Sequence, residues 1–321
     1  MSQFQPPFYQ FNGHIQTIYP SLFRKVPVPY ERERIELPDG DFLDLDWLKT
    51  GSKKLVIVTH GLEGDSTRHY VTGLLKLFAE HGFDGLGWNS RSCSGELNRL
   101  PRFYHHGDAE DLRYVLEYAI TEGGYEEVFL AGYSMGGSLT LRLLGEFPEK
   151  IPKEVSGAMV ASVPLDIYSS VLELQKPGKT FYMNRFIKKL AVKIEAKSKL
   201  FPDHPHLKFE GYFDRIKNFE DFDGTYTAPL HGYKSAHDFY ARASTKPLLK
   251  NIRVHVKIVQ ALNDPFLGQE CLALPDDSPL NVELLMPKKG GHVGFMISGE
   301  PFSFTEQLAL DFALKAKKKH P

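Results

Sequence analysis

Residues 126–137 read EEVFLAGYSMGG: an apolar run, Val128 to Ala131, runs into Gly132-Tyr133-Ser134-Met135-Gly136, and the helix-forming stretch SLTLRLLGEF follows. A serine in a G-x-S-x-G pattern becomes a nucleophile only where a strand ends in a turn too tight for ordinary side chains. The hydroxyl then stands exposed above a sheet and at a helix N-terminus. In a glycine-rich chain the five-residue pattern alone is weak evidence; the strand before it and the helix after it give it meaning.

Outward from this turn the chain alternates strand-like and helix-like segments, the pattern of a parallel sheet covered by helices. Residues 32–37 and 41–48, separated by Pro38-Asp39-Gly40, read as a hairpin forming an antiparallel edge. Lys54 to Thr59 is a buried strand ending at His60-Gly61. Val71, Leu74, Leu75 and Phe78 mark a helix by their i, i+3, i+4, i+7 spacing. Phe83 to Trp88 reads as a strand, Leu112, Val115, Leu116, Ala119 and Ile120 as one helix face, and Val155 to Val163 as another strand. From about Leu165 to Thr245 the alternation gives way to aromatic, lysine-rich helical segments broken by prolines. Strand patterns return at Val254 to Leu262 and Val282 to Met286, and a helix from about Ser303 to Lys318 closes the chain. The expected organisation is an N-terminal arm (1–30), an α/β core (31–164 and 246–321) and a helical cap inserted at 165–245.

A serine hydroxyl needs a histidine to remove its proton, and that histidine needs an acid to fix its tautomer and stabilise its cation. In the Ser, acid, His order of this architecture, both partners should follow strand ends after the insertion. Asp264, in Ala261-Leu262-Asn263-Asp264-Pro265-Phe266, and His292, in Gly290-Gly291-His292-Val293-Gly294, meet that requirement. A tetrahedral intermediate also needs donors aimed at its oxyanion, worth roughly 3 kcal/mol each when preorganised. The backbone amides of Met135, directly after the serine, and of Leu62, in the loop His60-Gly61-Leu62-Glu63-Gly64, are the candidates.

Of 321 residues, 39 are Lys or Arg and 40 Asp or Glu, a net charge of −1 that leaves no electrostatic footprint for nucleic acid. Two cysteines, Cys93 and Cys271, argue against a disulfide framework. No spacing of ligand residues suggests a metal, and no motif suggests a cofactor. MSQFQPPFYQFNGH lacks the basic segment and apolar core of a signal peptide, and no apolar run approaches the ~18 residues of a membrane span. A cytoplasmic protein is the expectation, and the final KAKKK is read as a solvated helix end.

These residues resemble the α/β-hydrolase superfamily, and several blocks resemble its YheT-like branch. The blocks are Phe11-Asn12-Gly13-His14-Ile15-Gln16-Thr17-Ile18-Tyr19-Pro20, the loop from Arg91 through Cys93-Ser94-Gly95-Glu96 and Asn98 to His105, Thr227 to Tyr233, Asn263 to Phe266, and Gly291 to Phe295. The resemblance implies a serine hydrolase acting on carboxylic esters, with acylglycerols, phospholipids or medium-chain ethyl esters as substrates of relatives. It gives Ser134, Asp264 and His292 the charge-relay roles. Acyl transfer to an alcohol through the same acyl-serine, and a ligand-binding module with a vestigial triad, are the competing functions. The sequence departs from the branch at Ser92, where a glycine is common, and at Asn263, where a second acid is common.

Four weaker signals remain. His106 and Asp111 match an H-x-x-x-x-D pattern shared with glycerolipid acyltransferases, although Asp108 and Asp111 also suit the start of the Leu112 helix. His14 suits the arm, and Cys93 a packed loop thiol. In the insertion Met183, Phe186, Ile187, Leu190 and Ile194 form an apolar stripe, with Arg185, Lys188, Lys189 and Lys193 elsewhere on the helix. A lid over the acyl pocket explains this stripe better than transient contact with a lipid surface.

Overall fold

The computed structural model describes residues 4–316. Its frame is a mixed sheet whose strands are β1 (Glu31–Glu36), β2 (Phe42–Leu48), β3 (Lys54–Thr59), β4 (Asp84–Asn89), β5 (Glu127–Tyr133), β6 (Val155–Ala161), β7 (Val256–Val259) and β8 (Val282–Leu285). The spatial order is β1-β2-β4-β3-β5-β6-β7-β8. The first hairpin is antiparallel and lies on the edge, β2 joins β4 antiparallel, and every pairing from β4 to β8 is parallel.

Successive side chains of a strand point to opposite faces, and a central parallel strand must therefore be apolar on both. In β3, Leu55 and Ile57 pack with Leu112 and Leu116 of α3 (Glu110–Thr121) and Leu139 of α4 (Met135–Glu146). Val56 and Val58 turn to the other face, against Val71, Leu74 and Phe78 of α2 (His69–Ala79) and Leu308 of α11 (Phe304–Ala316). Each such side chain contributes about 1.5–3 kcal/mol on burial.

Between β6 and β7 the chain forms α5 (Ile167–Gln175), α6 (Thr180–Leu200), α7 (Tyr212–Arg215), α8 (Phe219–Phe222), α9 (Ala228–Leu230) and α10 (Ala236–Ala243). These helices bury an apolar cluster of their own, including Ile187, Leu190, Ile194, Tyr226 and Phe239. The stretch read from sequence only as an arm contains a helix, α1 (Gly13–Phe23), capped by Asn12 Oδ1, which accepts from Ile15 N–H at 2.9 Å. β7 is shorter than the expected 254–262, although Gln260 and Leu262 N–H still donate to the Leu285 and Pro287 carbonyls before Asp264 N–H closes a turn on the Ala261 carbonyl. Residues 317–319 of the terminal basic run, and the end of the helix expected there, lie outside the described residues. No helix among the described residues is long and apolar enough to cross a membrane.

Candidate active site

The register aligns the carboxyl ends of the central strands: Thr59 lies opposite Gly132, Tyr133 opposite Ala161, and Val259 opposite Leu285. The loops after β3, β5, β7 and β8 therefore emerge on one edge of the sheet. Ligand sites of open α/β sheets lie at that edge.

Ser134 sits between β5 and α4 with φ 56° and ψ −123°, a backbone conformation that L side chains rarely adopt. The neighbouring glycine makes the turn possible by close approach. A Cβ on Gly136 would lie 2.1 Å from the Thr59 carbonyl oxygen, so the turn packs directly on the end of β3.

His292 Nε2 lies 2.9 Å from Ser134 Oγ, and His292 Nδ1 lies 3.0 Å and 3.1 Å from the two carboxylate oxygens of Asp264. The Asp264 side chain is fully buried. Asp264 Oδ1 also accepts from Phe266 N–H at 2.8 Å, and the Phe266 ring stacks on the imidazole with centroids 3.9 Å apart. Three side chains far apart in sequence thus converge into one hydrogen-bonded relay.

The loop carrying His292 is held from α1. Thr17 Oγ1 accepts from His292 N–H at 2.8 Å, and Gln16 Oε1 accepts from Gly290 N–H at 2.8 Å and from Asn263 Nδ2 at 2.9 Å. A Cβ on Gly13 would lie 2.0 Å from the Asn263 carbonyl oxygen, so only glycine lets α1 seat here. Sequence reasoning missed Gln16 and Thr17. Both lie in the FNGHIQT block and are buried, whereas its other polar residues, Asn12 and His14, are half-buried. Asn263 Oδ1 accepts from Gly291 N–H at 3.1 Å and so braces the same loop.

The loop with Leu62 is equally constrained. His60 is fully buried, and burial pushes its pKa down to about 4, so it is neutral. Its Nδ1 lies 2.8 Å from the Gly61 carbonyl and its Nε2 accepts from Ser90 N–H at 3.1 Å, which places the ring proton on Nδ1. Glu63 has φ 53°, and its carboxylate accepts from Lys193 Nζ and Tyr104 Oη, both at 2.7 Å. Glu63 N–H donates back to Tyr104 Oη at 2.8 Å. Among the described residues Leu62 N–H has no backbone acceptor, and Met135 N–H belongs to the first turn of α4, where helices lack internal acceptors.

Two pockets meet at Ser134. One is an apolar cavity of 1050 Å³, open mouth included, under the α5–α10 helices, with Leu174, Phe186, Leu190, Phe219 and Phe239 among its walls. At other points it touches His106, His231 and Asp223. Burial alone pushes His106 down to about 4, and burial pushes Asp223 up to about 6. The second pocket lies toward α1 and the Leu62 loop, and its lining includes Glu63, Arg68, Arg185 and Lys189.

Asp111 binds Arg91 at 2.7 Å and 2.8 Å, so it does not pair with His106, and the H-x-x-x-x-D match is not a working unit. Arg91 also bonds Asp41 Oδ2 at 3.0 Å, tying the 91–105 loop to the β1–β2 hairpin. His14 Nδ1 meets Tyr182 Oη at 3.1 Å, joining α1 to α6. Cys93 Sγ accepts from Lys193 at 3.3 Å, and burial pushes its thiol up. Of the basic residues of α6, Arg185 and Lys188 are exposed, whereas Lys189 and Lys193 turn inward to Glu63. Lys197 is buried on the carbonyls of Asn98 and Leu100. Among the described residues no cluster of three or more His, Cys, Asp or Glu could hold a metal ion.

A strand-turn-helix serine, an acid and a histidine at successive strand ends, and a mostly parallel sheet define the α/β-hydrolase class. A family model described as alpha/beta hydrolase fold matches residues 54–298, and the chain belongs to that family. YheT of Escherichia coli strain K12 is 33% identical over 291 residues, which cover 89% of this chain and 84% of that protein. Phospholipase ABHD3 of Homo sapiens is 26% identical over 306 residues, covering 91% and 73%. Among solved structures, the Pyrococcus furiosus esterase Pf2001 matches with a TM-score of 0.57 over 91% of this chain and 93% of that one, at 18% identity, a likeness of fold.

Proposed function

We propose that this protein hydrolyses carboxylic esters through an acyl-Ser134 intermediate. Ser134 Oγ attacks the acyl carbonyl carbon while His292 Nε2 takes its proton. Asp264, bonded to Nδ1, holds the imidazole in the needed tautomer and stabilises its cation. The carbonyl oxygen becomes an oxyanion facing the Leu62 and Met135 amides. Collapse of the intermediate expels the alcohol, which takes the proton from His292. Water then enters, gives its proton to His292 and attacks the acyl carbon, and Ser134 Oγ leaves reprotonated.

The observation that carries this reading is the 2.9 Å contact between Ser134 Oγ and His292 Nε2 with Asp264 behind it, at the mouth of an apolar cavity suited to an acyl chain. Supporting it, relatives of the chain include a phospholipase, and structures of like fold include an esterase. The Ser134→Ala variant is expected to hydrolyse p-nitrophenyl butyrate about three to six orders of magnitude more slowly, with unchanged circular dichroism. Wild-type turnover in that variant would eliminate the assignment.

A further inference from the structure

The second pocket at Ser134, 830 Å³ with its mouth included, shares Leu62, Phe186, Phe266 and His292 with the apolar cavity but differs from it in charge. Its wall carries Arg68, at the start of α2, and Arg185 and Lys189, four residues apart on α6 and so on one helix face. Lys189 Nζ and Arg68 Nη2 both donate to a single acceptor, the Glu63 carbonyl oxygen, at 3.1 Å and 2.9 Å. Two cations converging on one neutral oxygen repel each other. Burial pushes the Lys189 ammonium pKa down, and the charges of Arg68 and Arg185 push the same way against Glu63 and Asp65.

The acids at this wall, Glu63 and Asp65, offset its charge only in part. The Glu63 carboxylate is engaged by Lys193 and Tyr104, and Asp65 stands 4.0 Å from Arg68 Nε. Among the described residues neither Arg185 nor Lys189 has a carboxylate ion-pair partner. A chain with net charge −1 therefore concentrates positive charge beside its candidate nucleophile, where a partly enclosed pocket focuses the field.

We propose that this pocket receives the alcohol half of the ester, and that the alcohol carries an anionic group, a phosphate or a carboxylate, bound by Arg68, Arg185 and Lys189. The proposal rests on the hydrolase reading above and narrows its substrate class. The acyl chain fills the apolar cavity, and the alcohol leaves on the side where His292, also on this wall, protonates it. A neutral alcohol leaves Arg185 and Lys189 without a carboxylate counter-charge. An anion gives them charge-assisted hydrogen bonds, which are shorter and stronger than neutral ones.

The test uses three esters with one acyl group: 1-butyrylglycerol, 1-butyrylglycerol 3-phosphate and the butyrate ester of 3-hydroxypropanoate. For the wild type, kcat/KM for at least one anionic ester should exceed that for the neutral ester by about tenfold or more, and the ratio should fall as salt is raised. Arg185→Glu, and independently Lys189→Met, should lower this ratio by about tenfold, and taking the ratio cancels any general loss of activity. A ratio near one in the wild type, or one indifferent to salt and to both variants, overturns the proposal.

Calorimetry on Ser134→Ala separates the proposal from the hydrolase reading. If the wild type turns over none of the esters while Ser134→Ala still binds an anionic one more tightly than the neutral one, the subsite stands and the hydrolase reading falls. If the neutral ester is hydrolysed and neither anion is preferred, the reverse holds. Inorganic phosphate competing as strongly as the phosphate ester would mean a free-anion site, and would also overturn the alcohol assignment.

Discussion

Two loops on the carboxyl edge of the sheet each hold a non-glycine residue at positive φ, Ser134 at 56° and Glu63 at 53°, and they are held in opposite ways. The Ser134 turn is fixed by backbone packed against backbone, with Gly136 seated on the end of β3. The Glu63 turn is fixed by side chains from elsewhere, Lys193 and Lys189 of α6 and Tyr104 of the 91–105 loop. Such conformations cost about 1–3 kcal/mol each and persist only where the surroundings over-determine them. Ser134 is thus built into the sheet, whereas the loop carrying Leu62 depends on contacts from α6 and the 91–105 loop. Geometry at Ser134 should survive changes in those elements that geometry at Leu62 does not.

The largest effect is expected from Gly136→Ala, which tests the packed turn. Its Cβ would stand 2.1 Å from a backbone oxygen that cannot swing away. Denaturant unfolding should show a loss of about 3 kcal/mol, and displacement of Ser134 should lower ester turnover by about a hundredfold or more. A variant as stable and active as the parent would contradict the packing account.

Next in size is Lys193→Met, which removes the partner of a Glu63 side chain that is 6% exposed. With Tyr104 still in place, the buried carboxylate should cost about 2–3 kcal/mol. A double-mutant cycle with Glu63→Gln should return a coupling of about 1–3 kcal/mol. Additivity of the two substitutions would mean that the ionic clamp does not hold the loop.

The side-chain scaffold should also titrate, unlike the packed turn. Burial pushes the carboxyls of Asp41 and Asp46 up. Bonds from Asn98 and the Arg99 and Phe42 amides to Asp41, and from Arg32, Ser66 and Asn89 to Asp46, outweigh it and hold both below the ordinary range. A carboxyl lowered in the folded state stabilises above its unfolded pKa, and that contribution disappears as pH falls through the folded value. Unfolding free energy from urea titrations should therefore fall mainly below about pH 4. A profile flat through that range would remove these carboxylates from the account.

The smallest change is expected at Ser92, a non-glycine residue with φ 63°. Its Oγ donates to Asn98 Oδ1 at 2.6 Å and accepts from Asn98 N–H at 3.0 Å. Ser92→Gly relieves the backbone but loses both bonds, so its stability should lie within about 1 kcal/mol of the parent, and Ser92→Ala should be the less stable of the two. The opposite ranking would contradict this reading of the loop.

The packed half of the site was legible in the sequence, because strands buried on both faces and a glycine-spaced serine are local patterns. Asp264 and His292 were legible as residues just past successive strand ends. The half held by side chains was not. Lys189 and Lys193 fall beside the apolar stripe of α6, and that they turn inward to Glu63 depends on where α6 docks, a non-local fact. Gly13 at the start of α1 and Pro20 within it mask the helix in a stretch assigned only to an arm, although Asn12 is an ordinary N-cap. The cationic pocket is built from α2, α6 and the Leu62 loop together, so no single stretch announces it.

The most direct measurement is active-site labelling of the purified protein with a fluorophosphonate, mapped by mass spectrometry. The account expects the adduct on Ser134, its loss in Ser134→Ala, and labelling of His292→Ala slower by about three orders of magnitude or more. Labelling that leaves Ser134 unmodified, or proceeds at the parent's rate without His292, would contradict a Ser134 nucleophile activated by His292.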